Sequence, residues 1–157
     1  MLYFEHSIAK ADYELLAAAS SAVTRAQRRG DGLHVEASAT TGVRWPGPAR
    51  VDGRNWPATD GETVWIPAGP HVIEPGEAAV PLRLLWLNAE LLDARVLPEG
   101  LEFRYRSSSR AAALLDRRPA RVELDGRRID PPILPSDGHF SVLLPQGQRA
   151  ARVWLAE

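Results

Sequence analysis

Pro48-Ala49-Arg50-Val51-Asp52-Gly53-Arg54 and Pro119-Ala120-Arg121-Val122-Glu123-Leu124-Asp125-Gly126-Arg127 decide how this chain is read, because one contains the other's markers in the same order. Downstream of each, an apolar run ends in Pro-x-Gly: Ile66-Pro67-Ala68-Gly69 and Leu144-Pro145-Gln146-Gly147. Upstream, residues 23–38 lie over 91–106 at a constant offset, so that Ala26, Gly32 and Leu33 match Ala94, Gly100 and Leu101. Three markers in one order point to an internal repeat, and a repeat is the first thing that constrains a fold.

Inside each repeat the local pattern has a period of two. Leu33, Val35, Ala37 and Ala39 alternate with His34, Glu36, Ser38 and Thr40, and Leu101, Phe103 and Tyr105 alternate with Glu102, Arg104 and Arg106. Alternation of this kind sends apolar side chains to one face of a strand and polar ones to the other. Turn signals interrupt the runs at Gly30-Asp31-Gly32, Asp52-Gly53, Asp60-Gly61, Pro98-Glu99-Gly100, Asp125-Gly126 and Asp137-Gly138. Further strands are predicted over Thr63–Ile66, His71–Ile73, Val122–Leu124, Phe140–Leu144 and Ala151–Leu155. Short strands with frequent turns favour a sandwich over alternating strands and helices.

The expected fold is therefore all-β: two homologous immunoglobulin-like β-sandwich units packed in tandem, with a short N-terminal helix. The units span 21–76 and 89–157. Residues 1–20 form a strand and helix segment, with extended Leu2-Tyr3-Phe4 and a helix over Ala9 to Ser20. Residues 77–88 are an apolar connector, and Pro81–Leu92 is too apolar for a flexible linker, so the units are expected to pack together. Leu2-Tyr3-Phe4-Glu5-His6 reads like the middle of a longer polypeptide.

The 157 residues suit one ordinary domain or two small ones, and a net charge of −1 gives no sign of a nucleic-acid or anionic-membrane partner. The absence of Cys excludes disulfides, thiolate metal sites and Cys nucleophiles. No apolar run approaches the ~20 residues of a membrane span. The sequence lacks a Gly-x-Ser-x-Gly elbow, a His-Glu-x-x-His helix, a P-loop and a Gly-x-Gly-x-x-Gly fingerprint. His6, His34, His71 and His139 are scattered without ligand spacing, and Ser136-Asp137-Gly138-His139 falls where a hairpin turn is expected. No catalytic residue, metal site or cofactor is expected. Nine Arg against six acidic residues between 95 and 130 read as a solvated sheet face with cross-strand ion pairs.

Five Trp residues are the chemically suggestive set, since an indole stacks on the apolar face of a pyranose ring. Trp86 and Trp154 lie in apolar runs and read as core. Trp45 ends a strand and Trp56 lies in the Arg54-Asn55-Trp56-Pro57 turn, where burial is hardest to secure. Trp65 faces opposite to Val64 and Ile66. The predicted ligand platform is Trp56 with Trp45, Arg54, Asn55 and Trp65.

Pro48 to Gly53, Trp65-Ile66-Pro67-Ala68-Gly69-Pro70-His71 and Pro119 to Gly126 resemble the β-sandwich accessory modules of bacterial glycoside hydrolases and related carbohydrate-active enzymes. In them a strand leads into an Asp-Gly turn and a later strand ends in Pro-Ala-Gly. The resemblance implies a non-catalytic module that binds a polysaccharide or supports a neighbouring catalytic domain. It implies an extracellular or periplasmic location if the chain belongs to a secreted enzyme. The alternative is a structural or protein-interaction sandwich with no small ligand.

Overall fold

Alternation and turn chemistry together set the strand boundaries. The computed structural model describes residues 22–77 and 79–157, and among these the chain is strand and turn without helix. The N-terminal helix expected over Ala9 to Ser20 lies outside the described residues. The first group of strands is β1 (Val23–Arg29), β2 (Gly32–Ala37), β3 (Thr41–Arg44), β4 (Ala49–Val51), β5 (Arg54–Asn55), β6 (Thr63–Ile66) and β7 (Gly69–Pro75). A connecting strand, β8 (Leu84–Leu87), follows. The second group is β9 (Glu90–Leu97), β10 (Gly100–Ser107), β11 (Ala111–Leu115), β12 (Arg121–Leu124), β13 (Arg127–Ile129), β14 (Ile133–Ser136), β15 (His139–Leu144) and β16 (Gly147–Trp154).

The two groups carry the repeat into topology. One larger sheet runs β1-β2-β7-β4-β5, and its counterpart runs β9-β10-β16-β12-β13, the same order position by position. The second sheet of the first group is the pair β3-β6, and that of the second group is β8-β11-β15-β14. All pairings are antiparallel. Asp52-Gly53, Asp125-Gly126 and Asp137-Gly138 each close a two-residue hairpin with both residues at positive φ, between 51 and 83°. This is the turn whose twist matches that of the flanking strands. β12 is longer than β4, with Glu123 and Leu124 between Val122 and the Asp-Gly turn. Two extra residues preserve the alternation, so Val51 in one strand and Val122 and Leu124 in the other all point inward.

Inward residues of the larger and smaller sheets meet in an apolar core, an arrangement consistent with a β-sandwich. Leu33, Val35 and Ile73 meet Val43, Val64 and Ile66 in the first group, and Leu101, Phe103 and Tyr105 meet Ala113, Leu115 and Val142 in the second. The inward residues of both groups, together with Leu82, Leu84 and Leu91, belong to one buried cluster. Polar links reinforce the junction. Thr40 Oγ1 accepts from the Leu91 amide at 2.8 Å, Arg54 pairs with Asp93 at 2.9 Å, and the Leu84 amide donates to the Pro57 carbonyl at 2.9 Å.

Candidate functional site

The predicted platform does not form. Trp56 is 2% exposed and Trp45 6%, both within the core cluster. The Trp56 backbone amide donates to Ala49, which folds the turn inward, and its indole Nε1 donates to the Trp65 carbonyl at 2.8 Å. A buried indole satisfies its N–H in this way and presents no face to a ligand. Arg54 and Asn55 stay at the surface on the short edge strand β5, and Arg54 is held by Asp93.

Trp65 is the member of the set that lines the cleft between the two groups of strands, whereas buried Trp56 and Trp45 each border a smaller hollow. The Trp65 ring lies half-buried over β3, and its Nε1 donates to the Leu85 carbonyl at 2.8 Å, tying β6 to β8. Trp86, expected in the core, is instead 48% exposed and stands against Trp65 with ring centroids 5.1 Å apart at 75°. The reason lies in the pairing of β8. The register of β8 shifts between Leu84, opposite Leu115, and Trp86, opposite Leu114; Leu84 and Leu85 are both buried, and Trp86, on the edge strand of its sheet, lines the gap between the two groups. Trp154 also departs from the core expectation. Val153 takes the inward position, leaving Trp154 half-buried on the outer face beneath the Arg121 guanidinium at 4.9 Å.

Between the groups lies an open cleft of about 670 Å³, a size that suits a small ligand. Trp65, Trp86, Leu84 and Leu87 supply its apolar wall. Asn88, Ser107, Ser108 and Ser109 supply hydroxyl and amide groups to the lining, near the start of β9 and the end of β10. Asn88 Oδ1 accepts from the Ala112 amide at 2.6 Å, which fixes the side-chain amide at the cleft. The cleft's charged groups are Glu90 and Arg106, joined by two hydrogen bonds of 3.0 Å from Nε and 2.9 Å from Nη2. Those hydrogen bonds raise the Arg106 pKa above its ordinary value.

The Arg-rich stretch resolves into a ladder. Across the outer face of the larger second sheet, Arg95, Glu102, Arg152, Glu123 and Arg128 stand opposite one another on five successive strands. Arg95 and Arg152 bond the two oxygens of Glu102 at 2.9 and 2.6 Å, and Arg121 bonds Glu123. Cross-strand alternation of this kind gives the two buried carboxylates their partners. Ser136-Asp137-Gly138-His139 is the β14–β15 hairpin. Among the described residues, no group of three or more His, Asp or Glu is placed to hold a metal ion.

Sequence reasoning missed Trp86. Its apolar neighbours hide it, and simple alternation would place it on the same face as buried Leu84; the irregularity in the pairing of β8 with β11, which no local signal marks, breaks that pattern. No protein-family model, no curated protein and no solved structure matches the chain.

Proposed function

We propose that the chain is a non-catalytic carbohydrate-associated β-sandwich module that binds a polysaccharide in the cleft between its two groups of strands. The observation that carries this reading is Trp86: a large aromatic ring left half open to solvent, braced edge-on by Trp65, beside a row of hydroxyl and amide groups. A sugar offers an apolar ring face and a rim of hydroxyls, and the cleft offers the complement of both. The strand order differs from that of an immunoglobulin domain. In an immunoglobulin domain the last strand joins the second sheet, whereas here β7 and β16 lie at the centre of the larger one.

The reading in which the module supports a neighbouring catalytic domain has one feature in its favour. Leu134, 54% exposed, sits on β14 at the open edge of its sheet. Pro135 follows it, so a partner there would contact side chains rather than add a strand.

The test is Trp fluorescence titrated with soluble β-glucan, xylan, mannan and galactan. A saturable change in the parent that is lost in Trp86→Ala supports glycan binding. No change with any of the four favours the supporting role.

A further inference from the structure

Resting on the glycan reading above, we infer that the cleft selects neutral sugars and refuses acidic ones, and that Glu90 is the residue that enforces this. Cation and anion are both present in the cleft, but they are spent on each other. Arg106 faces Glu90 side-on through Nε and Nη2, the bidentate geometry in which a guanidinium ordinarily grips a ligand carboxylate. A uronate or sulfate entering the cleft therefore meets an occupied guanidinium and, next to it, the negative charge that occupies it. The pair's charges cancel, so an entering anion gains no net attraction to offset the loss of its hydration, whereas a neutral hydroxyl accepts or donates beside either partner at little electrostatic cost. The other polar side chains of the lining, Thr40, Thr41, Asn88 and Ser107 to Ser109, carry no charge and are of types that both donate and accept. Register fixes the pair: Glu90 lies directly opposite Arg106 where β9 and β10 begin and end, at the mouth of the cleft.

The experiment compares neutral with acidic oligosaccharides: β-1,4-linked gluco-, xylo- and mannohexaose against hexagalacturonate, by calorimetry in the parent, in Glu90→Gln, and in Glu90→Gln/Arg106→Gln. The parent is expected to bind a neutral hexasaccharide with an affinity almost independent of salt and to bind hexagalacturonate at least roughly tenfold more weakly. In Glu90→Gln the freed guanidinium should raise the acidic-to-neutral affinity ratio by roughly tenfold, with the gain screened by salt. In the double variant the ratio should fall back. The parent's ligand preference and salt dependence test the selection rule even if a variant fails to fold. A parent that prefers hexagalacturonate overturns the rule while leaving the glycan reading standing. An unchanged ratio in folded Glu90→Gln overturns the role of Glu90. A parent that binds no sugar of either class removes both the inference and the reading on which it rests.

Discussion

Gly42 and Trp65 face each other across β3 and β6, and the indole occupies the space in which a side chain at 42 would stand. A Cβ added to Gly42 would lie 2.5 Å from Cζ3 and 2.9 Å from Cε3 of Trp65, and 2.8 Å from Cγ2 of Thr63. An aromatic ring laid over a cross-strand glycine recovers the packing that the glycine lacks. The second group repeats the device with Trp154 opposite Gly100. Here it has a consequence for the site, since it sets how high Trp65 rides and so where Trp86 can lean.

Gly42→Ala should therefore displace Trp65, alter the near-ultraviolet circular dichroism of the Trp pair and cost about 1–3 kcal/mol of stability. Denaturant titration and the spectrum measure the two effects separately. A variant with the parent's spectrum and stability would show that the glycine's emptiness is incidental.

Asp52 and Asp125 are the clearest structural echo of the repeat. Each opens an Asp-Gly hairpin, and each accepts a backbone amide of the neighbouring central strand at 2.9 Å, from Val72 and Ala150. The remaining oxygen faces His71 at 2.7 Å in one copy and Arg149 at 3.2 Å in the other. Ala at either position loses the amide bond and strains a positive φ that Asp and Asn tolerate. Asp125→Ala and Asp52→Ala should each cost about 1–3 kcal/mol. Asp125→Asn, which keeps an acceptor oxygen, should cost less than about 1 kcal/mol. Equal losses for Ala and Asn would assign the stabilisation to charge and not to the hairpin.

How far this was legible from the residues divides by length scale. Period-two alternation and Asp-Gly pairs are local, so Thr63–Ile66 and the hairpins could be read directly. Strand β11 could not: Ala111-Ala112-Ala113 has little strand propensity and becomes a strand because β8 and β15 flank it. The placement of the five indoles was the least legible feature, because exposure depends on which strand ends beside an edge. Trp56 in a turn was drawn into the core by its backbone bond to Ala49, while Trp86 in an apolar run was left at a sheet edge.

Tyr105 is fully buried and its hydroxyl donates to the Pro145 carbonyl at 2.7 Å, joining β10 to the turn between β15 and β16. Burial pushes its pKa from 10.0 to about 12, with Arg149 opposing and Asp125 adding to the rise. The folded phenol thus keeps a proton that the unfolded one loses. Its contribution is complete below pH 10 and is lost as the pH climbs to about 12. Tyr105→Phe should lower stability at neutral pH by about 1–2 kcal/mol and flatten the alkaline limb of the stability curve. An alkaline limb of unchanged slope in the variant would place that titration elsewhere.

Because one buried cluster runs through both groups, the chain should unfold as a single cooperative unit despite its repeat. Phe103→Asp, Val35→Asp and Val122→Asp each bury an unpaired carboxylate, at a cost of several kcal/mol, comparable to the whole stability of a domain. Each should therefore unfold the entire described chain, and the parent should melt in one calorimetric transition. Two resolved transitions, or a variant that loses half of its strand signal, would mean that the groups fold independently.

Under the proposed function, the half-exposed ring of Trp86 is the surface on which a sugar stacks. Affinity electrophoresis of the parent and Trp86→Ala, run side by side through gels with and without a soluble neutral polysaccharide, tests this role most directly. At least one of β-glucan, xylan, mannan and galactan should slow the parent, and Trp86→Ala should run through the same gel as it does through a blank one. Parent and variant migrating alike in every gel would contradict it.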